Sequence, residues 1–117
     1  MKLEEIQTIW RNDSNIDRTE LGEESLRIPQ LHSKYYNMFS AERMQLRKLE
    51  QDYFQLKILK TDLSIYMQSD THLKNLSLKI AVQKEKVEFL ESVIKNLPAR
   101  GYQINAAITW EKFKVGA

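Results

Sequence analysis

The chain has 117 residues, a net charge of +2, 42% hydrophobic residues and 29% charged residues, with three glycines and two prolines. This composition indicates a folded, helix-rich domain and excludes a disordered chain, while the lack of cysteine excludes disulfides, thiolate zinc sites and cysteine nucleophiles. No apolar run is long enough to span a membrane and acids interrupt the N-terminus, so we expect a soluble intracellular protein without a signal peptide.

The first predicted element is a short amphipathic helix in MKLEEIQTIWRND. Leu3, Ile6 and Trp10 share one helical face, and acidic residues occupy the first turn, where the helix dipole favours them. The stretch DSNIDRTELGEE then contains turn-forming residues. We therefore expect a break, with Asp17 or Thr19 as the N-cap of the next helix.

A long helix is predicted from about residue 23 to residue 69, and Pro29 should start or kink it. Residues at intervals of three and four form a seam along this helix. The seam consists of Leu46, Leu49, Tyr53, Leu56, Lys60, Leu63 and Met67, with Lys60 as its one charged member. Such a seam requires a partner helix.

The partner is predicted after QSDTHL, where Asp70 or Thr71 should cap a second long helix. Its seam consists of Leu73, Leu76, Ile80, Gln83, Val87, Leu90, Ile94 and Leu97, interrupted only by Gln83. A polar residue at such a position usually fixes the register of the packing or lies at a frayed, partly hydrated part of the seam. Two seams of similar length predict an antiparallel helical hairpin.

Pro98 and Gly101 predict that this second helix ends at residue 97. Residues 98–117 then form a short apolar C-terminal helix. Its apolar residues are Tyr102, Ile104, Ile108, Trp110 and Phe113. They either close their own subunit's bundle or join subunits, and the small size of the chain favours oligomerisation. We thus expect a single all-α domain, with a bundle or hairpin over 1–97 and an oligomerisation helix over 98–117.

The basic residues are concentrated in the second part of the chain, because residues 1–40 have a net charge of −2 and residues 41–117 a net charge of +4. The candidate DNA-binding residues are Arg43, Arg47, Lys48, Lys57, Lys60, Lys79, Lys84 and Lys86. They form either a solubilising surface or a track for the phosphates of single-stranded DNA. In the second case Tyr35, Tyr36, Tyr53, Phe54 or Tyr66 would stack on bases. The residues alone favour the first interpretation.

No group of residues suggests catalysis or a cofactor. His32 and His72 lie far apart on different predicted elements, and the chain has no glycine-rich phosphate loop or nucleophile elbow. We therefore expect no metal site, no cofactor and no enzymatic activity.

Three segments of the chain resemble the UvsY family of recombination mediators, found in T-even-type bacteriophages and their marine relatives. The segments are MKLEEIQTIWRNDSNID, LHSKYYNMFSAERMQLRKLE and VEFLESVIKNLPARGYQINAAITWEKFKVG, of which RGYQI with WEKF and SKYYN with LRKLE are the most specific parts. The resemblance implies a ring-like homo-oligomer of six or seven subunits in the host cytoplasm. Such a ring would bind single-stranded DNA and load a RecA-like recombinase onto DNA covered by single-strand-binding protein.

The sequence also departs from this family. After the segment that matches MQLRKLE, the resemblance implies an insertion with a basic run, a tyrosine pair and a glycine-containing turn, whereas here EQDYFQLKILK runs straight through. Basic residues of that insertion are implicated in DNA binding in the family, and they have no counterpart here. Affinity for DNA must come from residues such as Arg43, Arg47, Lys48, Lys57 and Lys60, or be weak.

The alternative function is that of a coiled-coil homo-oligomer, a scaffold or adaptor that contacts only protein. It predicts the same assembly without affinity for DNA.

Overall fold

The structure is a computed structural model that describes the backbone of residues 1–59 and 63–116 and the side chains of residues 1–58 and 71–116. It contains the helices α1 (Leu3–Asp13), α2 (Leu21–Leu59) and α3 (Leu63–Lys114). These described residues contain no strand, and none of their helices has an apolar stretch sufficient to cross a membrane. The all-α class is confirmed.

The helix α1 is the predicted N-terminal amphipathic helix. Ile6 is fully buried and Trp10 is half-buried, so the predicted face packs inward. Cations from the two other helices cap its C-terminal end: Arg27 donates a hydrogen bond to the Asp13 carbonyl at 3.3 Å, and Arg100 donates one to the Ser14 carbonyl. Positive charge at this end also complements the helix dipole.

The turn before α2 differs from the expectation. The Asp17 carboxylate accepts hydrogen bonds from the backbone N–H and the hydroxyl of Thr19, at 2.9 and 2.6 Å. Asp17 thereby stabilises a turn rather than a helix end. The first helical hydrogen bond joins the Glu24 N–H to the Glu20 carbonyl at 3.0 Å, and α2 begins at Leu21. The N-cap prediction of Asp17 or Thr19 was therefore wrong. The helix then continues through Pro29.

The end of α2 and the start of α3 lie earlier than predicted. The helix α2 ends at Leu59 instead of continuing to residue 69, and α3 begins at Leu63, so Leu63 and Met67 belong to α3. Lys60 lies outside the described residues. Because a seam with intervals of three and four looks the same on either side of a turn, the pattern did not reveal the break.

The predicted cap in QSDTHL was also wrong, since Asp70 and Thr71 lie within α3. The segments KTD at 60–62 and SDT at 69–71 contain the same types of capping residue. Local sequence therefore could not distinguish between them.

The prediction of a separate C-terminal helix was wrong as well. The helix α3 continues through Pro98 to residue 114, and Gly101 does not have the positive φ of a left-handed cap. Leu97, Gly101, Ile104 and Ile108 extend the second seam at intervals of four, three and four. Ile104 is only 2% exposed, and burial of this continued seam offsets the backbone hydrogen bond that Pro98 cannot donate.

The helices α2 and α3 run antiparallel, as predicted. Early residues of α2 meet late residues of α3, since the Ser25 hydroxyl lies 3.5 Å from the Asn105 side-chain oxygen. Midway along the hairpin, Nε2 of Gln83 donates to the carbonyl oxygen and to a carboxylate oxygen of Glu42, at 2.7 and 2.6 Å. Gln83 is 4% exposed, so this buried amide fixes the register of the two helices.

The largest buried cluster lies where α1 packs against the hairpin. It consists of Ile6, Leu31, Tyr35, Leu90, Val93 and Leu97. Tyr35 contacts Trp10 edge to face, with ring centroids 5.2 Å apart, and its hydroxyl donates to the Asp13 carboxylate at 2.8 Å. All three helices therefore contribute to one core.

The molecule is a rod of 80 × 19 × 15 Å. Its length matches α3, whose 52 residues span about 78 Å at 1.5 Å per residue. Because Ser25 meets Asn105, Leu21 at the start of α2 lies opposite Thr109. The last turn of α3 therefore extends past the start of α2.

Candidate nucleic-acid interface

One face of α2 alternates exposed aromatic rings with cations. We call it the α2 stripe, and it consists of Tyr36, Arg43, Arg47, Phe54 and Lys57. Their spacings of seven, four, seven and three residues place them on one side of an α-helix. The side chains of Tyr36 and Phe54 are 52% and 64% exposed, and the three cations are exposed as well.

The rings at the first end of the α2 stripe form a continuous surface. His32 stacks on Tyr36 with centroids 6.2 Å apart and planes 11° from parallel, and Tyr36 lies 6.3 Å from Phe39. The Arg43 guanidinium then lies 5.8 Å from the centroid of Phe39. A cation held beside exposed rings can bind a phosphate while the rings stack on bases.

Sequence reasoning named Tyr36 and Arg43 but missed His32 and Phe39, which support them. Their positions at 32, 36, 39 and 43 follow helical intervals, and that spacing was the available signal.

The other end of the α2 stripe contains a shallow depression of about 460 Å³, lined by Arg47, Glu50 and Phe54 among others. Within the described part of the chain, neither Arg43, Arg47 nor Lys57 forms an ion pair. Their charges are available to a ligand. Glu50 lies on the same face and would repel a phosphate.

The structure does not bring the other candidate cations to this face. Lys48 is one residue beyond Arg47 and thus about 100° around the helix. Lys79 and Lys86 line a groove beside Gln45 of α2. Gln45 is two residues from both Arg43 and Arg47, so it points about 160° away from them around the axis of α2.

Of the remaining two candidates, only Lys84 is described, and it is also separate. Lys84 is five residues from Lys79, which turns it about 140° away on α3, and Lys60 lies outside the described residues. The seven described candidates for DNA binding therefore do not form a single patch.

The five candidate stacking rings divide by exposure. Tyr35 is fully buried and hydrogen-bonded to Asp13, so it cannot stack on a base. Tyr53 is half-buried in the seam, and the Tyr66 side chain lies outside the described ones. Tyr36 and Phe54 remain accessible.

The five apolar candidates near the C-terminus divide in the same way. Ile104 is buried and Ile108 half-buried within the chain itself. Tyr102, Trp110 and Phe113 are 77%, 55% and 70% exposed. Trp110 and Phe113 stack on each other with centroids 5.6 Å apart. The structure thus leaves the last three available for contact with another molecule.

No metal centre is visible in the described residues, which contain no group of three His, Cys, Asp or Glu residues placed to hold an ion. His72 lies in a shallow groove beside Asp52, and the other histidine belongs to the ring surface of α2.

The family described as "Recombination, repair and ssDNA binding protein UvsY" matches residues 9–57 and 45–117 of the chain. Together these segments cover all but the first eight residues. The chain belongs to the UvsY family. The family resemblance seen in the three sequence segments is confirmed. No curated protein and no solved structure matches the chain.

The two segments that match the UvsY family overlap at residues 45–57. The overlap contains part of the stretch EQDYFQLKILK, where the resemblance implies an insertion in the family. Arg47, Phe54 and Lys57 of the α2 stripe lie within the overlap. The candidate interface of this UvsY-family chain therefore lies partly within the overlap.

Proposed function

We propose that this chain is a recombination mediator that binds single-stranded DNA along the α2 stripe. It promotes loading of a RecA-like recombinase onto DNA covered by single-strand-binding protein, in the host cytoplasm. Membership of the UvsY family supports single-strand binding. The observation that carries the DNA site is the alternation of exposed rings and unpaired cations, because rings accept any base and cations accept phosphates.

The exposed apolar end of α3 supports self-assembly of the chain, for which the family resemblance implies a ring of six or seven subunits. Trp110 and Phe113 extend beyond α2 and expose a stacked aromatic pair. A ring repeats the α2 stripe in every subunit, so many weak contacts add up along one strand. Such a ring bends the strand and weakens the grip of its previous occupant while recombinase nucleates.

The DNA site is tested by fluorescence anisotropy of a labelled single-stranded oligonucleotide at several salt concentrations. The double substitution Arg43→Ala and Arg47→Ala should weaken binding by about tenfold or more at low salt. It should also make the slope of log K against the logarithm of the salt concentration shallower by about 1.4 for each subunit that contacts the strand. Each lost phosphate contact reduces the magnitude of this slope by about 0.7. Both side chains are exposed, so helix content should not change.

A matched control removes the same charge elsewhere. Arg11→Ala with Arg18→Ala, also exposed, should leave the affinity nearly unchanged. Glu50→Gln should strengthen binding, since it removes a negative charge from the stripe. If the two double variants bind equally weakly, the effect is one of net charge and the site is not on α2.

The alternative is a scaffold that contacts only protein. It is favoured if the oligomer is intact but the labelled oligonucleotide does not bind at low salt. The same exposed Trp110 and Phe113 would then explain the assembly without a DNA site.

A further inference from the structure

The helix α1 fills only part of the groove between α2 and α3. The C-terminal end of α1 lies beside Arg27 and Arg100. The apolar residues packed against the buried cluster that contains Ile6 include Met38 on α2 and Phe89 on α3. With 11 residues α1 is about 16 Å long, whereas the 39 residues of α2 span about 58 Å. Much of the groove thus extends past the N-terminus of α1.

The exposed continuation lies on the same side of the hairpin as α1. Gln45 is seven residues beyond Met38, and Val82 is seven residues before Phe89, and an α-helix returns to nearly the same face after seven residues. Gln45 and Val82 line one groove, of about 510 Å³. The groove is therefore in line with the seat of α1.

The two lysines of this groove are also spaced by seven residues and therefore share one face of α3. Lys79, Lys86 and Val93 are seven residues apart, and Val93 is part of the core beneath α1. Lys79 and Lys86 both line the groove. Neither forms an ion pair with another described residue.

The floor of the groove is apolar and largely uncovered. Leu78 and Val82 are one turn apart and 67% and 55% exposed, and Leu49 faces them from α2. An apolar pair at this spacing, flanked by two lysines, matches an amphipathic helix with apolar residues at i and i+4 beside carboxylates.

We propose that this groove binds an acidic amphipathic helix of another protein, seated in line with α1. The helix α1 shows how such an occupant is held, because Ile6 enters the apolar floor while the Asp13 carboxylate binds Lys34 at 2.6 Å. The Lys79 and Lys86 ammonium groups bind carboxylates of the partner's helix in the way that Lys34 binds Asp13. This assignment does not depend on DNA binding by the α2 stripe.

The test uses the full chain and a fluorescein-labelled helical peptide of about four turns, with leucines on one face and glutamates flanking them. Anisotropy should show binding that weakens with salt. Lys79→Glu with Lys86→Glu should weaken it by about tenfold or more, because like charges then face each other. Lys84→Glu, outside the groove, and the same peptide with lysines in place of glutamates are the controls.

A second measurement locates the peptide. Because the chain has no cysteine, Val82→Cys can carry a single environment-sensitive dye, whose emission should shift when the peptide binds. The same dye at Leu26→Cys, on an exposed leucine of α2, should not respond.

Four results would overturn the proposal. These are absence of peptide binding at low salt, equal binding of the lysine peptide, loss of oligonucleotide affinity in the Lys79→Glu, Lys86→Glu variant, and a fall in its assembly mass. The third result would place the groove on the DNA path, and the fourth would make a second copy of this chain the occupant. Unchanged DNA affinity and mass, together with lost peptide binding, would support the proposal and leave the proposed function to its own test.

Discussion

Asp13 is the residue that joins α1 to the hairpin. Its carboxylate accepts hydrogen bonds from Lys34 Nζ at 2.6 Å and from the Tyr35 hydroxyl at 2.8 Å. Burial acts to raise the pKa of Asp13, but the hydrogen bonds from Lys34 and Tyr35 outweigh it, and the pKa is lowered. Burial and the nearby carboxylate raise the pKa of Tyr35. The folded state therefore favours ionised Asp13 beside a neutral phenol.

The first prediction concerns Asp13→Ala, which should lower the free energy of unfolding by about 2 kcal/mol at pH 7, as for a hydrogen bond to a charged group. Because the folded pKa is depressed, this stabilisation is fully present above the unfolded pKa of about 4 and is lost as the pH falls through the folded value. Urea unfolding followed by circular dichroism should show the gap from the wild-type chain narrowing below pH 4.

The exposed Asp52, which forms no ion pair with a described residue, provides the control. Asp52→Ala should change stability little at either pH. A gap for Asp13→Ala that is the same at pH 7 and pH 3 would show that packing, not the charge, accounts for the loss.

At the scale of the element, α3 is the helix that local signals describe least well. Pro98 and Gly101 both indicate a helix end, yet α3 continues past them. A Cβ at Gly101 would lie 3.9 Å from Cγ2 of Ile28, which is an ordinary contact. Position 101 therefore has space for a side chain, and its backbone is in a helical conformation that a residue other than glycine can adopt.

The second prediction follows from that backbone. Gly101→Ala should raise the free energy of unfolding by about 0.5–1 kcal/mol, because alanine has less conformational freedom to lose in a helix. At a left-handed cap the same substitution would destabilise the protein. Thermal or urea unfolding thus distinguishes the two conformations by sign.

Ala99 is exposed and lies within the same helix, so it supplies the converse control. Ala99→Gly should lower stability by a similar amount, about 0.5–1 kcal/mol. If Gly101→Ala destabilises the chain while Ala99→Gly has no effect, α3 does not continue through this segment in solution.

At the scale of the whole molecule, the mismatch in length between α2 and α3 helps to expose the aromatic rings at the end of α3. The last turn of α3 passes the start of α2, so Trp110 and Phe113 stack on each other but not on a second helix. Ile104, less than two turns before Trp110, is 2% exposed. We therefore expect residues of this one apolar segment to have two different roles.

The third prediction separates these roles. Trp110→Ala with Phe113→Ala should reduce the mass of the assembly measured by light scattering and leave helix content unchanged, because both side chains are exposed within the chain. Ile104→Ala should instead destabilise the fold by about 2–5 kcal/mol. An unchanged mass in the double variant would mean that these rings do not join subunits.

Much of the fold could be predicted from the sequence because its apolar periodicity reports which face of each helix is buried. Leu73, Leu76 and Leu90 are buried in the structure as the seam required, and of the two interpretations of Gln83 its burial favours the fixing of register. Its partner Glu42 could not be predicted, since two residues 41 apart meet only when the hairpin closes. The limits of α2 and α3 also depended on that closure.

The candidate site was predicted less completely. The sequence named Arg43, Arg47, Tyr36 and Phe54, but it could not separate them from Lys79 and Lys86, which lie on another side of the rod. The positive charge of these arginines and lysines can be read directly from the sequence. Their separation follows from the rotation of each residue about its helix and from which side of the hairpin α1 covers.

The sequence by itself determined the helical class, the buried faces, the lack of cysteine chemistry and the resemblance to the UvsY family, because each depends on residue type and short-range spacing. The tertiary structure decided where the hairpin turns, that α3 continues through Pro98, and which rings and cations share a surface. These features depend on contacts between distant residues. Burial of a continuous seam between two long helices overrides the local signals for a break.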